Sequence, residues 1–319
     1  MVRAELQGRR SREPGRPDGS GAAAMLTPPC EIACDAGEPV RGWLHGLQED
    51  DALRAWRAIT RTNPLPACMG RICYAPCEQG CVLGARAGPV GIRSLEAAVG
   101  DLALRESWTL DEPQDPTGAR VVVVGSGPCG LSATHQLVLA GHDVTLLDAH
   151  HCLGGMLRRG ITERRLPKRI LDAEIQRIVS GRARVETSHA VRRIQDVLSA
   201  CDGVIWAAGA SRCMAVVEGR TIWRQPIHTD RGARRTATLS IGRGAGAAAA
   251  LSDYLLGGAA SGSAFDGATA ATSPAPPDLL RVATIKEANR CILCGSRGVL
   301  RRPHTGSESG SLVHGDRAR

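Results

Sequence analysis

"RVVVVGSGPCGLSATHQLVLAGHDVTLLD", residues 120–148, runs from a strand through a glycine turn and a helix into a second strand. Four consecutive valines, Val121 to Val124, read as a strand buried on both faces, as in a parallel sheet. Gly125 allows the tight turn, Gly127 lets backbone approach a pyrophosphate, and Gly130 permits close packing of helix on strand. The helix that follows points its free amides and its dipole at the phosphates. Asp148 ends the second strand, where a carboxylate can accept hydrogen bonds from ribose hydroxyls. Three spaced glycines alone are a weak signal, whereas strand, glycines, helix, strand and acid in this order are specific for a dinucleotide site.

Outward from this core the chain divides by style. Residues 1–25 read as a disordered tail and 26–115 as a helical, cysteine-bearing domain. In it "EDDALRAWRAIT" (49–60) and "VGIRSLEAAVGDLAL" (90–104) carry apolar residues at helical spacing. After the linker "DEPQDPTGA", residues 116–257 read as an α/β domain. A further helix lies in "LPKRILDAEIQRIVSG" (166–181), a strand in "DGVIWAAGA" (202–210), and one more strand and helix in "TATLSIGRGAGAAAALSDYLLGG" (236–258). Residues 258–278 form a low-complexity linker, and 279–319 read as a truncated remnant or disordered tail.

Composition excludes several classes. The chain has 319 residues and a net charge of +8. Residues 1–20 hold five arginines against three acids and residues 281–319 eight basic residues against three acids, so the body between is nearly neutral. Phe, Tyr and Trp make up 3% of the chain, too few for a base-stacking platform, and nucleic acid is not expected as a partner. No apolar run approaches membrane-spanning length and no secretory h-region opens the chain, so a cytoplasmic location away from membranes is expected. There the 12 cysteines point to metal, redox work or inert burial rather than to disulfides.

Four of those cysteines crowd into "CMGRICYAPCEQGC" (68–81), with Cys30 and Cys34 upstream. Zinc sites pair Cys-x-x-Cys knuckles across a dozen or more residues, a poor match to successive spacings of three or four between Cys68, Cys73, Cys77 and Cys81. Closely spaced thiolates on an iron-sulfur cluster suit the pattern better; zinc and inert burial stay open.

The segments "NPLPACMGRICYAPCEQGCVLG" and "VVVVGSGPCGLSATHQLVLAGHDVTLLDAHHCLGGMLRRG" resemble the small (beta) subunit of NADPH-dependent glutamate synthase, and also the N-terminal part of dihydropyrimidine dehydrogenase. The resemblance implies a helical 4Fe-4S domain followed by a shortened Rossmann-like FAD-binding domain. It implies electron transfer from NAD(P)H through FAD to 4Fe-4S clusters and an electron-accepting partner subunit. By position, Cys34, Cys73, Cys77 and Glu96 match the ligands of one cluster, and Cys30 and Cys81 match ligands of a second. That second cluster's other two thiols, upstream of Cys30 in relatives, are absent, so one cluster at most is expected to be complete. Cys68 stands one position from a cysteine of some relatives. Around the flavin the resemblance places Gly125, Gly127, Gly130, Asp148, Gly154, Gly155, Met156 and Gly209, and it sets Asp230 beside the ribityl chain. No residue takes the part of a catalytic acid, base or nucleophile.

Relatives insert a complete NAD(P)H-binding module where this chain has only residues 210–240, so that module is expected to be missing. "TIKEANRCILCG" (284–295) resembles the start of a ferredoxin-like appendage with two of its thiols, Cys291 and Cys294. Gly242, Gly244 and Ala247 echo a second nucleotide motif without the strand and acid that it requires. His150 and His151 and the basic run Arg158, Arg159, Arg164, Arg165, Lys168, Arg169 read as solvated loop and helix face, and Cys129, Cys201 and Cys213 as small buried apolar groups. The alternatives to an electron carrier are a non-catalytic, cluster-bearing docking module and a zinc-stabilised helical domain.

Overall fold

The structure is a computed structural model that describes residues 27–209, 213–224, 236–257 and 279–294. The tail 1–25, Asp230, the linker 258–278 and the stretch beyond 294 lie outside the described residues.

Seven helices form the first module: α1 (Pro29–Ile32), α2 (Val40–Gln48), α3 (Ala52–Thr60), α4 (Pro66–Ile72), α5 (Pro76–Gln79), α6 (Gly84–Ala87) and α7 (Ile92–Arg105). Helix α2 buries Val40, Trp43, Leu44 and Leu47, the stripe expected of an amphipathic helix. Asp51 caps α3 by accepting from the Arg54 amide at 2.9 Å, and Trp56 and Ile59 face inward. Helices α4 and α7 touch backbone to backbone: a Cβ on Gly70 would overlap the Ala97 amide, and one on Gly100 the Ala67 amide. That crossing carries Cys73, at the C-cap of α4, over to Glu96 on the buried face of α7.

The second module is built on β1 (Arg120–Val124), α8 (Pro128–Leu139), β2 (Asp143–Leu147), α9 (Gly155–Arg159), α10 (Lys168–Val179), β3 (Arg184–Glu186), α11 (Gln195–Leu198), β4 (Gly203–Trp206), β5 (Met214–Val217), β6 (Arg220–Arg224) and α12 (Ala237–Leu255). The strands form one sheet in the order β3-β2-β1-β4-β5-β6. The first four are parallel, with Val123 opposite both Leu146 and Ile205; β5 runs antiparallel to both its neighbours, β4 and β6. The molecule is therefore an N-terminal helical module followed by an α/β Rossmann-like unit, with β1, α8 and β2 where the sequence puts them.

The segment expected to start as a strand at 236 is helix throughout. Thr236 caps α12 by accepting from the Leu239 amide at 2.9 Å, and Gly242 and Gly244 lie inside the helix. A Cβ on Gly242 would overlap the Asp35 carbonyl oxygen, and one on Gly244 that of Cys129. These glycines thus let α12 pack closely on both modules and do not cradle a second nucleotide. In the segment read as a truncated remnant or disordered tail, α13 (Leu279–Ala288) forms and lies against the helical module, where Gln48 Nε2 donates to the carbonyls of Ala288 (3.0 Å) and Cys291 (2.8 Å).

Candidate cofactor sites

The nucleotide loop is assembled around two glycines. Gly125 sits at φ +101°, its amide bonded to the Leu147 carbonyl at 2.7 Å, and a Cβ there would come within 2.8 Å of the Ala207 carbonyl oxygen. On Gly130 a Cβ would overlap the Gly125 carbonyl oxygen, so the first turn of α8 presses directly on the end of β1. Gly127, by contrast, has no atom in the way of a Cβ. It is the N-cap of α8, no side chain caps that end, and Pro128 follows. The loop therefore offers unpartnered amides and open space for an anion.

Asp148 ends β2 against this loop and is buried, at 6% exposure. Its Oδ2 accepts from the Ser126 amide (2.7 Å) and hydroxyl (2.5 Å), and its Oδ1 meets the His150 amide (2.8 Å) and Nδ1 (3.0 Å). Burial pushes the carboxyl pKa up, but the hydrogen bonds from Ser126 and His150 outweigh it and hold the group below its ordinary value. Both oxygens are engaged, so a ribose hydroxyl reaches this carboxylate only by sharing it with Ser126 or His150. The Gly154 amide donates to the Ser126 carbonyl at 3.1 Å, and a Cβ on Gly155 would come within 2.6 Å of the Gly127 Cα. Met156 stands 59% exposed beside them. Gly209, at φ +96°, lies just beyond β4.

Seven of the cysteines line two separate recesses. Cys34, Cys73, Cys77 and Glu96 line one of about 310 Å³ of atom-free space, part of it open to solvent, together with Glu38 and with Thr238 from α12. Asn63 Nδ2 donates to Glu38 and to Glu96, both at 2.8 Å. Burial pushes the Cys34 thiol up to about 12 and the Glu38 carboxyl up to about 7. Burial, then the neighbouring Glu38, raises Glu96 well above the usual range. Left to itself the recess favours neutral groups; a bound metal reverses that preference, because a coordinated thiol is deprotonated outright. Cys30, Cys81, Cys291 and Cys294 line the second recess, of about 330 Å³, with an otherwise apolar wall.

Among the described residues no three His, Cys, Asp or Glu side chains converge on a single ion. Cys68 lines neither recess. Its amide donates to Glu174 Oε2 at 2.9 Å and that of Ala67 to Oε1 at 2.7 Å, so a buried glutamate from α10 holds the first turn of α4. Cys129 Sγ lies 2.7 Å from Cys213 Sγ. Of the basic run, Arg159, Arg164, Arg165 and Arg169 are exposed as expected, whereas Lys168 Nζ donates to the carbonyls of Leu157 (3.1 Å) and Ile161 (2.6 Å), and Arg158 pairs with Asp172. Glu38, Asn63 and Glu174 were not visible as site residues in the sequence, since nothing in their spacing marks them; only the fold buries them beside thiols.

Two family profiles match the chain. One, described as dihydropyrimidine dehydrogenase domain II, 4Fe-4S cluster, covers residues 23–108. The other, described as NAD(P)-binding Rossmann-like domain, covers residues 123–189. The glutamate synthase [NADPH] small chain of Mycobacterium tuberculosis is 41% identical over 156 residues, 48% of this chain and 32% of that protein. The chain is homologous to glutamate synthase small chains. That of Bacillus subtilis is 31% identical over 180 residues, 52% of this chain and 36% of the relative. The NAD-dependent dihydropyrimidine dehydrogenase subunit PreT of Escherichia coli is 33% identical over 152 residues, 47% of this chain and 37% of the relative. The chain thus spans about a third of the length of these curated relatives. It shares a 4Fe-4S module and a Rossmann unit with oxidoreductases named as small chains or subunits. The expected absence of an NAD(P)-binding module is corrected in part, because the Rossmann unit present at 123–189 is itself of the type described as NAD(P)-binding. No helix among the described residues is long and apolar enough to cross a membrane.

Proposed function

We propose that the chain is an electron-transfer flavoprotein in which Cys34, Cys73, Cys77 and Glu96 hold a 4Fe-4S cluster and the loop Gly125–Gly130 holds the diphosphate of FAD. A flavin, when bound, exchanges an electron pair with a nicotinamide and single electrons with a cluster. The observation that carries the reading is helix α12. Thr238, near its start, lines the cysteine recess, donating to Met69 Sδ at 3.9 Å, while Gly244 abuts the Cys129 carbonyl in the nucleotide loop. Six residues at a rise of about 1.5 Å each put these two contacts roughly 9 Å apart along one rigid helix. The cysteine recess and the loop assigned to the diphosphate are therefore held close together by one helix.

The chain's own residues divide the work. The amides at the start of α8 bind the diphosphate, Asp148 and Ser126 fix the loop that presents them, and Gly154, Gly155 and Met156 border the space beside it. Asn63 holds Glu38 and Glu96 in place beside the cluster thiols. The electron acceptor is a partner subunit, in keeping with the names of the relatives. Anaerobically reconstituted protein is expected to take up about one flavin per chain, with bands that bleach reversibly on reduction, and to reduce dyes with NADPH negligibly; brisk NADPH turnover would contradict the account. A second reading, a cluster-bearing docking module without flavin, draws on the fully engaged Asp148 carboxylate. An iron-sulfur shoulder with no flavin bands would favour it.

A further inference from the structure

Three separate stretches of chain meet at the second recess. Cys30 comes from α1, Cys81 from the turn after α5, and Cys291 and Cys294 from the segment after α13, some two hundred residues away in sequence. That segment is anchored firmly. Gln48 fixes its backbone at Ala288 and Cys291, Glu287 Oε1 accepts from the Gly91 amide at 2.9 Å, and Arg290 Nη2 donates to the carbonyls of Ala87 (2.7 Å) and Gly88 (2.8 Å).

The backbone between the last two thiols repeats a device of the first recess. There Ala75, at φ +52°, donates its amide to Cys73 Sγ at 3.3 Å. Here Leu293, at φ +47°, donates its amide to Cys291 Sγ at 3.4 Å. Both residues pay a left-handed conformation that an L side chain avoids, and in both places the strained turn aims an N–H at a cysteine sulfur. Hydrogen bonds to ligand sulfurs are one of the ways a protein sets the potential of an iron-sulfur cluster.

We propose that Cys30, Cys81, Cys291 and Cys294 are the four ligands of a second 4Fe-4S cluster, the last two supplied by the carboxyl-terminal segment in place of an upstream pair. The proposal rests on the reading that the helical module holds a cluster at Cys34, Cys73, Cys77 and Glu96, and it adds a site with its own ligands. A zinc ion would gather four sulfurs to within about 3.8 Å of each other, from tetrahedral bonds of about 2.3 Å. The described residues contain no such convergence, and these thiols instead ring an apolar recess of about 330 Å³ of atom-free space, part of it open to solvent. Cluster binding would also clamp α13 to α1 and α5, joining the end of the described chain to its beginning.

The test counts iron and acid-labile sulfide on the full chain after anaerobic reconstitution and records the EPR spectrum of the reduced protein. The wild type is expected to hold about eight of each per chain, as two 4Fe-4S clusters require. Cys291→Ser/Cys294→Ser should fall to about half that content, retaining one cluster signal, and Cys34→Ser/Cys77→Ser should fall by the same factor, retaining the other. The signal left in each variant reports that the module is folded. If the double variant fails to fold, the single substitution Cys294→Ser, at the solvent edge of the recess, is read for the same loss. Half the expected iron in the wild type, unchanged by Cys291→Ser/Cys294→Ser and lost in Cys34→Ser/Cys77→Ser, would overturn this inference and leave the first cluster standing. Zinc bound through Cys291 and Cys294 would overturn it too, and a protein without iron in any form would overturn both readings.

Discussion

Glu174→Ala is expected to lower the unfolding free energy by about 3 kcal/mol, the sum of two buried amides left without an acceptor and the cavity left by the side chain. Glu174 is fully buried, yet it accepts from the amides of Ala67 and Cys68, the first turn of the helix that carries Cys73. No other side chain caps α4. The variant should therefore melt well below the wild type by circular dichroism; an unchanged melting temperature would contradict the role assigned to this carboxylate. Burial pushes the Glu174 carboxyl up to about 7, against partial opposition from its hydrogen bonds to Cys68 and Ala67. A raised native pKa means that the folded state holds the proton more tightly than the unfolded one. The stabilisation is complete below the unfolded value, about 4.3 for a glutamate, and is lost as pH rises through about 7. Glu174→Gln keeps an acceptor without titrating, so its stability should fall less steeply than the wild type's between pH 5 and 8.

Gly130→Ala and Gly127→Ala should separate folding from nucleotide binding. A methyl on Gly130 collides with the Gly125 carbonyl oxygen, a backbone atom that cannot move aside without shifting the end of β1. Overpacking of this kind costs about 3 kcal/mol, and the distorted loop should lose flavin altogether. Gly127 has ordinary backbone angles, φ −68° and ψ −179°, and open space at its Cβ. Gly127→Ala should therefore keep its stability within about 0.5 kcal/mol while its methyl occupies the approach to the diphosphate. Equilibrium dialysis against FAD should show binding at least tenfold weaker. Equal flavin affinity in wild type and Gly127→Ala would remove the diphosphate from this loop.

The parts of this molecule that could be read from its sequence are those set by local rules. The valine strand, the glycine turn and α8 follow from periodicity and backbone sterics, and α3 from the helical spacing of its apolar residues. Long-range packing was not legible. "TATLSIGRG" reads as a strand because Thr and Ile favour one, yet Gly242 and Gly244 are needed for a helix pressed against the Asp35 and Cys129 backbones. Likewise Cys291-x-x-Cys294 was visible as a pair, but nothing local says that Gln48, Gly91 and the carbonyls at 87–89 hold it next to Cys30. The buried polar residues Glu38, Asn63 and Glu174 were hidden for the same reason: a lone Glu or Asn is ordinarily a surface residue, and only tertiary contacts make it an exception.

The central claim is that Cys34, Cys73, Cys77 and Glu96 together hold a 4Fe-4S cluster against the nucleotide fold. The most direct measurement is the low-temperature EPR spectrum of the dithionite-reduced, anaerobically isolated protein beside that of Glu96→Cys. The account predicts a reduced 4Fe-4S signal in the wild type whose g values shift when the one oxygen ligand becomes a sulfur. A spectrum without any iron-sulfur signal, or one identical in the two proteins, would contradict it.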